Sequence, residues 1–147
     1  MLGGEDIERP LEPQGERESR QAGQTLLAKG VTVDRVLCSS AVRARSTCEV
    51  VCGELGMPKD QIHVQEDLYL ASPDLLMETL CSLNERLDTV LIVGHNPGLS
   101  ELAMSLYRPV GVMGTAGIVL LDFDVRHWSD LAGYPIPVKV DWSNKPA

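Results

Sequence analysis

Two short apolar runs, each ending in a polar turn that opens a helical pattern, constrain the possible fold more than any other feature of this chain. "RVLCSS" leads into "AVRARSTCEVVCGELG", where Val42, Val50, Val51 and Leu55 recur at helical spacing up to a stop at Gly56. "TVLIVGHNP" leads into "GLSELAMSLY" in the same way. Upstream, residues 14–29 read as a helix entered after Pro13 and stopped by Gly30. Between the two runs, "QIHVQEDLY" alternates as a strand, and "SPDLLMETLCSLNERL" starts a helix with Ser72 as N-cap and Pro73 behind it. "AGIVLLDFDV" is a last strand. Alternating strands and helices imply an α/β fold, with a mostly parallel central sheet covered by helices on both faces. "TVLIV" reads as a strand buried on both sides.

In such sheets a ligand sits beyond the carboxyl ends of the strands. Two of these ends carry polar chemistry, "CSSAVRAR" and "GHNPGLS". If their strands are neighbours, Arg43 and His95 converge on one crevice, with functional groups within about 8 Å, a gap that an oxyanion bridges with two hydrogen bonds. Each loop enters a helix N-terminus, where unpaired N–H groups favour an anion.

The background charge opposes such a site. Acidic residues outnumber Lys and Arg by 21 to 13, a formal charge of −8, which disfavours nucleic acid and anionic membranes as partners. The 147 residues suit one domain, 1–147. The N-terminal "MLGGEDIERP" has neither the basic nor the apolar region of a leader, and no apolar run spans a bilayer, so a cytoplasmic location is expected.

Four cysteines lack the Cys-x-x-Cys spacing of a zinc site, and no metal is implied. Cys38 is the obvious nucleophile to test. A phosphate loop led by cysteine places five residues before its arginine; Cys38 is separated from Arg43 by four and from Arg45 by six. Cys38 therefore reads as an inert thiol at the end of a strand. Arg45, His63 and His127 read as surface or structural residues, Glu66 and Asp67 as a solvated turn, and Trp128 and Trp142 as packing residues.

"SSAVRARST" resembles the Ser-x-x-x-Arg-Ala-x-x-Thr segment of the histidine phosphatase, or phosphoglycerate mutase-like, superfamily. "VGHNPGLSELA" resembles its second-histidine segment. With "ERPLEPQGERESRQAG", "EDLYLASPDLL" and "TAGIVLLDFDV" in order, the chain is similar to the short SixA-type phosphohistidine phosphatases from Glu8 to about Trp142. The resemblance implies a three-layer α/β/α fold and transfer of a phosphoryl group from a histidine-phosphorylated protein through a phosphohistidine on the enzyme, with no cofactor. It implies phosphate-binding roles for Arg43, His95 and Arg9, the last near the pocket where the incoming phosphoprotein would meet it, and a catalytic role for His95.

The family's Arg-His-Gly or Arg-His-Ala triplet, which ends a first strand and carries the nucleophile, has no counterpart in this sequence. The domain is thus expected to be incomplete at its N-terminus relative to the family, lacking the first family strand, and the 147-residue chain to be inactive or severely impaired while an extended product is active. A phosphoprotein-binding module without catalysis and a small-molecule phosphomonoesterase are the alternatives.

Overall fold

The computed structural model describes residues 6–143. It is an α/β protein whose described residues form two compact units, one of residues 6–69 with Asp88–His95, the other of Leu70–Leu87 with residues 96–143.

In the first unit, helix α1 (Pro13–Ala28) leads to strand β1 (Arg35–Ser39), helix α2 (Val42–Leu55), strand β2 (Ile62–Gln65) and, after the excursion into the second unit, strand β3 (Val90–Val93). The sheet order is β2-β1-β3, all parallel. Cys38 pairs with Val64 on one side and Val93 on the other. Asp34 fixes the start of this register: its N–H donates to Thr89 O at 2.8 Å, and its carboxylate accepts from the Asp88 and Thr89 N–H groups at 2.9 Å each.

Strand alternation sends Val36 and Cys38 to one face, where they pack with Ala41, Ala44, Cys48 and Cys52 beneath α2. Helix α1 lies against α2 at close range because Gly23 allows it; a Cβ there would stand 2.7 Å from Glu54 Cβ. Helix α2 stops where Gly56 takes a left-handed φ of 68°.

The doubly buried strand is β1, whose residues 36–39 are all buried, and not β3, which is half-buried at every position. Apolar composition alone misplaced it: β1 is central and is flanked on both sides, whereas among the described residues β3 hydrogen-bonds only to β1. "QIHVQEDLY" is strand only to Gln65, after which Glu66–Leu68 makes a 3-10 turn.

The second unit contains helices α3 (Pro73–Cys81) and α4 (Gly98–Leu106) and strands β4 (Ile118–Asp122) and β5 (Lys139–Ser143), paired antiparallel. The last expected strand thus belongs to a separate two-stranded ladder, with a partner that the sequence pattern did not reveal. Ser72 caps α3 as its position predicts, Oγ accepting from Leu75 N–H at 3.1 Å. The helix ends earlier than "SPDLLMETLCSLNERL" suggests. Ser82 Oγ bonds back to Glu78 O, and Asn84 Oδ1 accepts from Arg86 N–H, so side chains compete with the helical ladder.

Asn96 pins the start of α4. Its Oδ1 accepts from Ser100 N–H and Oγ–H, its Nδ2 donates to Met113 O, and Met113 N–H donates to Ser100 Oγ. No helix among the described residues is long and apolar enough to cross a membrane.

Gly98 has the closest approach among the glycines described in this unit, because a Cβ there would lie 2.0 Å from the backbone oxygen of Ala71. Gly98→Ala forces backbone movement and is expected to destabilise the chain by about 3 kcal/mol, at the upper end of overpacking costs. Chemical denaturation checks this, with Gly53→Ala, which meets nothing within 4 Å, as the control.

Candidate active site

Parallel pairing brings the carboxyl ends of β1 and β3 side by side, and the site grows from those ends. Ser39 is the last residue of β1, and His95 follows Val93 by two residues. Arg43 lies in the first turn of α2, which begins just after β1. Arg43 Nη2 stands 3.4 Å from His95 Nδ1, and His95 Nε2 stands 2.7 Å from Ser39 Oγ. Ser39 is fully buried, and its Oγ also accepts from the Ala41 N–H at 3.2 Å.

Arg43 reaches outward to Asp6. Its Nη1 donates to the Asp6 backbone oxygen at 2.7 Å, and its Nη2 pairs with the Asp6 carboxylate at 3.3 Å. Tyr69 donates its hydroxyl to the same carboxylate and packs edge-on against the His95 ring, with centroids 5.4 Å apart. Arg9 pairs with Asp6 at 3.1 Å from a position 62% exposed.

The structure thus brings Arg43 and His95 into direct contact, closer than the 8 Å expectation. Arg9 joins them through Asp6. Arg45, His63, Glu66 and Asp67 are exposed. His63 pairs with Leu37, two residues back from the end of β1, so the register holds it away from the strand ends. In the second unit, His127 pairs with Glu85 at 3.2 Å, and Trp128 donates its indole N–H to Leu87 O. Cys38 is fully buried, and alternation turns its side chain into the core beneath α2, opposite to Ser39.

Sequence reasoning missed Ser39, Asp6 and Tyr69. Ser39 had a readable signal, since it ends a strand opposite in phase to a core cysteine. Tyr69 lies in the segment whose carboxylates drew attention, but the 3-10 turn rotates the tyrosine inward and leaves Glu66 and Asp67 in water. Asp6 had no local signal for the site: Arg9 is three residues away, but Arg43 and Tyr69, which join it to the site, lie 37 and 63 residues away.

Burial, and then the Arg43 charge, push the His95 pKa below its ordinary 6.5, with Asp6 opposing them. The shift favours the neutral form of the His95 ring near pH 7. The Tyr69 hydrogen bond, joined by Arg43 and Arg9, holds the Asp6 carboxyl below its usual range, and the same bond pushes the Tyr69 pKa up. In the core, hydrogen bonding to Cys38 leads the causes that push Cys48 up to about 12, and Cys52 is raised as well, chiefly by its hydrogen bond to Cys48. Such thiols hold almost no thiolate and are poor nucleophiles. Among the described residues, no group of His, Cys, Asp and Glu side chains is placed to hold a metal ion.

Chemically, the arrangement gathers donors of the kind an oxyanion accepts from, and they are partly taken up by a carboxylate of the chain itself. Phosphate or vanadate at a hundred times its Kd is expected to stabilise the fold by about 2.7 kcal/mol. Arg43→Ala should remove most of this gain, whereas Asp6→Asn, which weakens the internal competitor, should lower the concentration needed; thermal unfolding against anion concentration reads both. Without an anion, the lowered His95 pKa makes the unfolded chain the better proton acceptor, so this group's contribution is lost as pH falls through about 6.5 and below. The Asp6 contribution has the window below its unfolded value of 3.8, so the two separate. His95→Gln should flatten the upper window only, as measured by stability between pH 7.5 and pH 5.

The sequence profile of the histidine phosphatase superfamily (branch 1) matches residues 1–69. An uncharacterised protein of Mycobacterium tuberculosis (strain H37Rv) is 34% identical over 150 residues, covering 90% of this chain and 91% of its own length. Among solved structures, one described as a candidate phosphohistidine phosphatase SixA from Nakamurella multipartitia superposes with a TM-score of 0.78 at 25% identity, covering 92% of this chain and 86% of that one. The structure of the protein histidine phosphatase SixA complexed with tungstate superposes with a TM-score of 0.72 at 30% identity, over 81% of this chain and 78% of that one. A similarly described SixA from Agrobacterium tumefaciens, 20% identical with a TM-score of 0.72 over 80% of this chain and 79% of that one, shares the fold. The mixed α/β architecture with its parallel sheet is the phosphoglycerate mutase-like one, and the chain belongs to the histidine phosphatase superfamily, among its SixA-like members.

Proposed function

We propose that this protein is a phosphatase for histidine-phosphorylated proteins, in which Arg43 and His95 hold the phosphoryl oxygens while a histidine other than His63, His95 and His127, the three of this sequence, accepts the phosphoryl group. The observation that carries this reading is the contact of Arg43, His95 and Ser39 at adjoining strand ends. A planar guanidinium offers two parallel donors to a phosphoryl group, and a neighbouring imidazole adds a third. Both act on the charge that spreads over the equatorial oxygens as the P–N bond breaks.

His95 is poorly placed to be the nucleophile. Its Nε2 is engaged by Ser39 and its Nδ1 faces Arg43, so neither nitrogen is free to attack in line. His63 is exposed on β2, and His127 is engaged by Glu85. Transfer therefore calls for a further histidine, such as that of the family's Arg-His strand. Attack by its ring nitrogen on phosphorus expels the substrate imidazole, which takes up a proton. Water then attacks the enzyme's phosphohistidine and releases phosphate. The tungstate bound by the SixA relative supports a tetrahedral oxyanion as ligand here.

The test compares the 147-residue chain with a form extended at its N-terminus by an Arg-His-bearing strand, on phosphohistidine peptides and on sugar phosphates. The short chain is expected to stay at background while binding tungstate. The extended form is expected to turn over phosphohistidine peptides preferentially, with radiolabel trapped on the new histidine. Cys38→Ser should leave that turnover largely intact. Turnover by the short chain that is abolished by His63→Ala or His127→Ala overturns the reading, as does a trapped phosphocysteine. Binding without turnover in both forms favours a phosphoprotein-binding module, and preference for sugar phosphates favours a small-molecule phosphomonoesterase.

A further inference from the structure

We infer that Ser39 is a positioning residue that holds His95 in one tautomer, with the proton on Nε2 and the lone pair of Nδ1 turned toward Arg43 and the incoming oxyanion. The inference rests on the oxyanion reading of the site. Its starting point is that a guanidinium has donors and no acceptor. The nitrogen 3.4 Å from Arg43 Nη2 is Nδ1, so in neutral His95 the lone pair belongs there and the proton on Nε2. That proton meets Ser39 Oγ at 2.7 Å. A hydroxyl oxygen has two acceptor positions, and the other takes the Ala41 N–H at 3.2 Å, which orients Oγ toward the ring.

Ser39 is suited to this task by burial and by backbone. It is fully buried, so water does not replace it as a partner for Nε2. It ends a central strand, and its pleat phase directs the side chain away from the Cys38 face. The other groups facing His95 are Tyr69, which offers a ring edge, Arg43, and Asp6 through its charge. Among these contacts, Ser39 alone accepts a hydrogen bond from the ring.

The tautomer matters when an oxyanion arrives. Negative charge beside His95 offsets the burial and the Arg43 repulsion that keep the ring neutral. The proton taken up then lands on Nδ1, aimed at the anion, while the Nε2–H bond to Ser39 stays as it was. One bond thus serves both the resting and the loaded state, and the ring does not turn between them. In the opposite tautomer, an Nδ1–H group faces guanidinium N–H groups in the empty site.

The test uses the 147-residue chain labelled with 15N-histidine, with tungstate as the probe. In the wild type, His95 is expected to show a protonated Nε2 and a bare Nδ1, with Nδ1 becoming protonated as tungstate saturates. In Ser39→Ala the two tautomers are expected to mix, the His95 pKa to fall further, and tungstate affinity to weaken about tenfold, as for one lost hydrogen bond to a charged group. The decline of affinity with rising pH should move to lower pH. In a His95→Gln background, Ser39→Ala should cost nothing more, which separates action through the ring from general loosening of the strand end. Unchanged nitrogen shifts and pKa in Ser39→Ala overturn the inference, and so does an equal loss of affinity in both backgrounds. The nitrogen shifts are read without any anion, so they decide the role of Ser39 even if wild-type chain fails to bind tungstate, a failure that counts against the oxyanion reading instead.

Discussion

The site depends on β1 and β3 being parallel neighbours in one fixed register. With Cys38 opposite Val93, the two strands end together, and the residues that follow them emerge at the same level. A slip of one residue would exchange the two faces of β1, turning Ser39 into the core and Cys38 toward the ring. The clamp that prevents the slip lies at the other end of the sheet. Asp34 takes both N–H groups at the start of β3 and donates its own to Thr89, so the strands are aligned before pairing begins. Asp34 never approaches the site, yet the placing of Ser39, Arg43 and His95 at one level follows from this alignment.

What could be read in the sequence was what local pattern determines. Helix starts at Pro13 and Pro73, the cap at Ser72 and the stop at Gly56 are written within a few residues of where they act. The pairing of Arg43 with His95 was also legible, because two polar strand ends in a parallel sheet leave few places for their side chains to go. Strand burial was not legible: "TVLIV" is more apolar than "RVLCS", but sheet order decides which is enclosed, and order is a long-range property. Strand β5 escaped notice for the same reason, since its partner β4 lies on the far side of a long connection.

The residues missed at the site share a cause. Ser39, Asp6 and Tyr69 act through partners 56, 37 and 63 residues away; Ser39 opens the Ser-x-x-x-Arg segment and Tyr69 lies in "EDLYLASPDLL", but neither segment says what those side chains touch. Cys38 shows the reverse error that composition invites. It is the most reactive residue type near the strand end, and the pleat turns it into an apolar cluster with two other thiols.

On the proposed reading, Asp6 makes the site's selectivity a matter of competition rather than of charge alone. The chain carries a formal charge of −8, so an approaching anion is repelled by the whole and held only by a few groups. Those groups already hold a carboxylate and a backbone oxygen from Asp6, together with the Tyr69 hydroxyl. A monoanionic, planar ligand offers little that Asp6 does not. A phosphoryl group carries up to two charges and three terminal oxygens, so it can engage both donors of Arg43 and still recruit a proton onto His95. If a phosphoryl group is the ligand, the internal carboxylate sets a threshold that ordinary carboxylates are poorly equipped to pass, and the inferred proton uptake by His95 supplies part of the difference by which a phosphoryl group passes it.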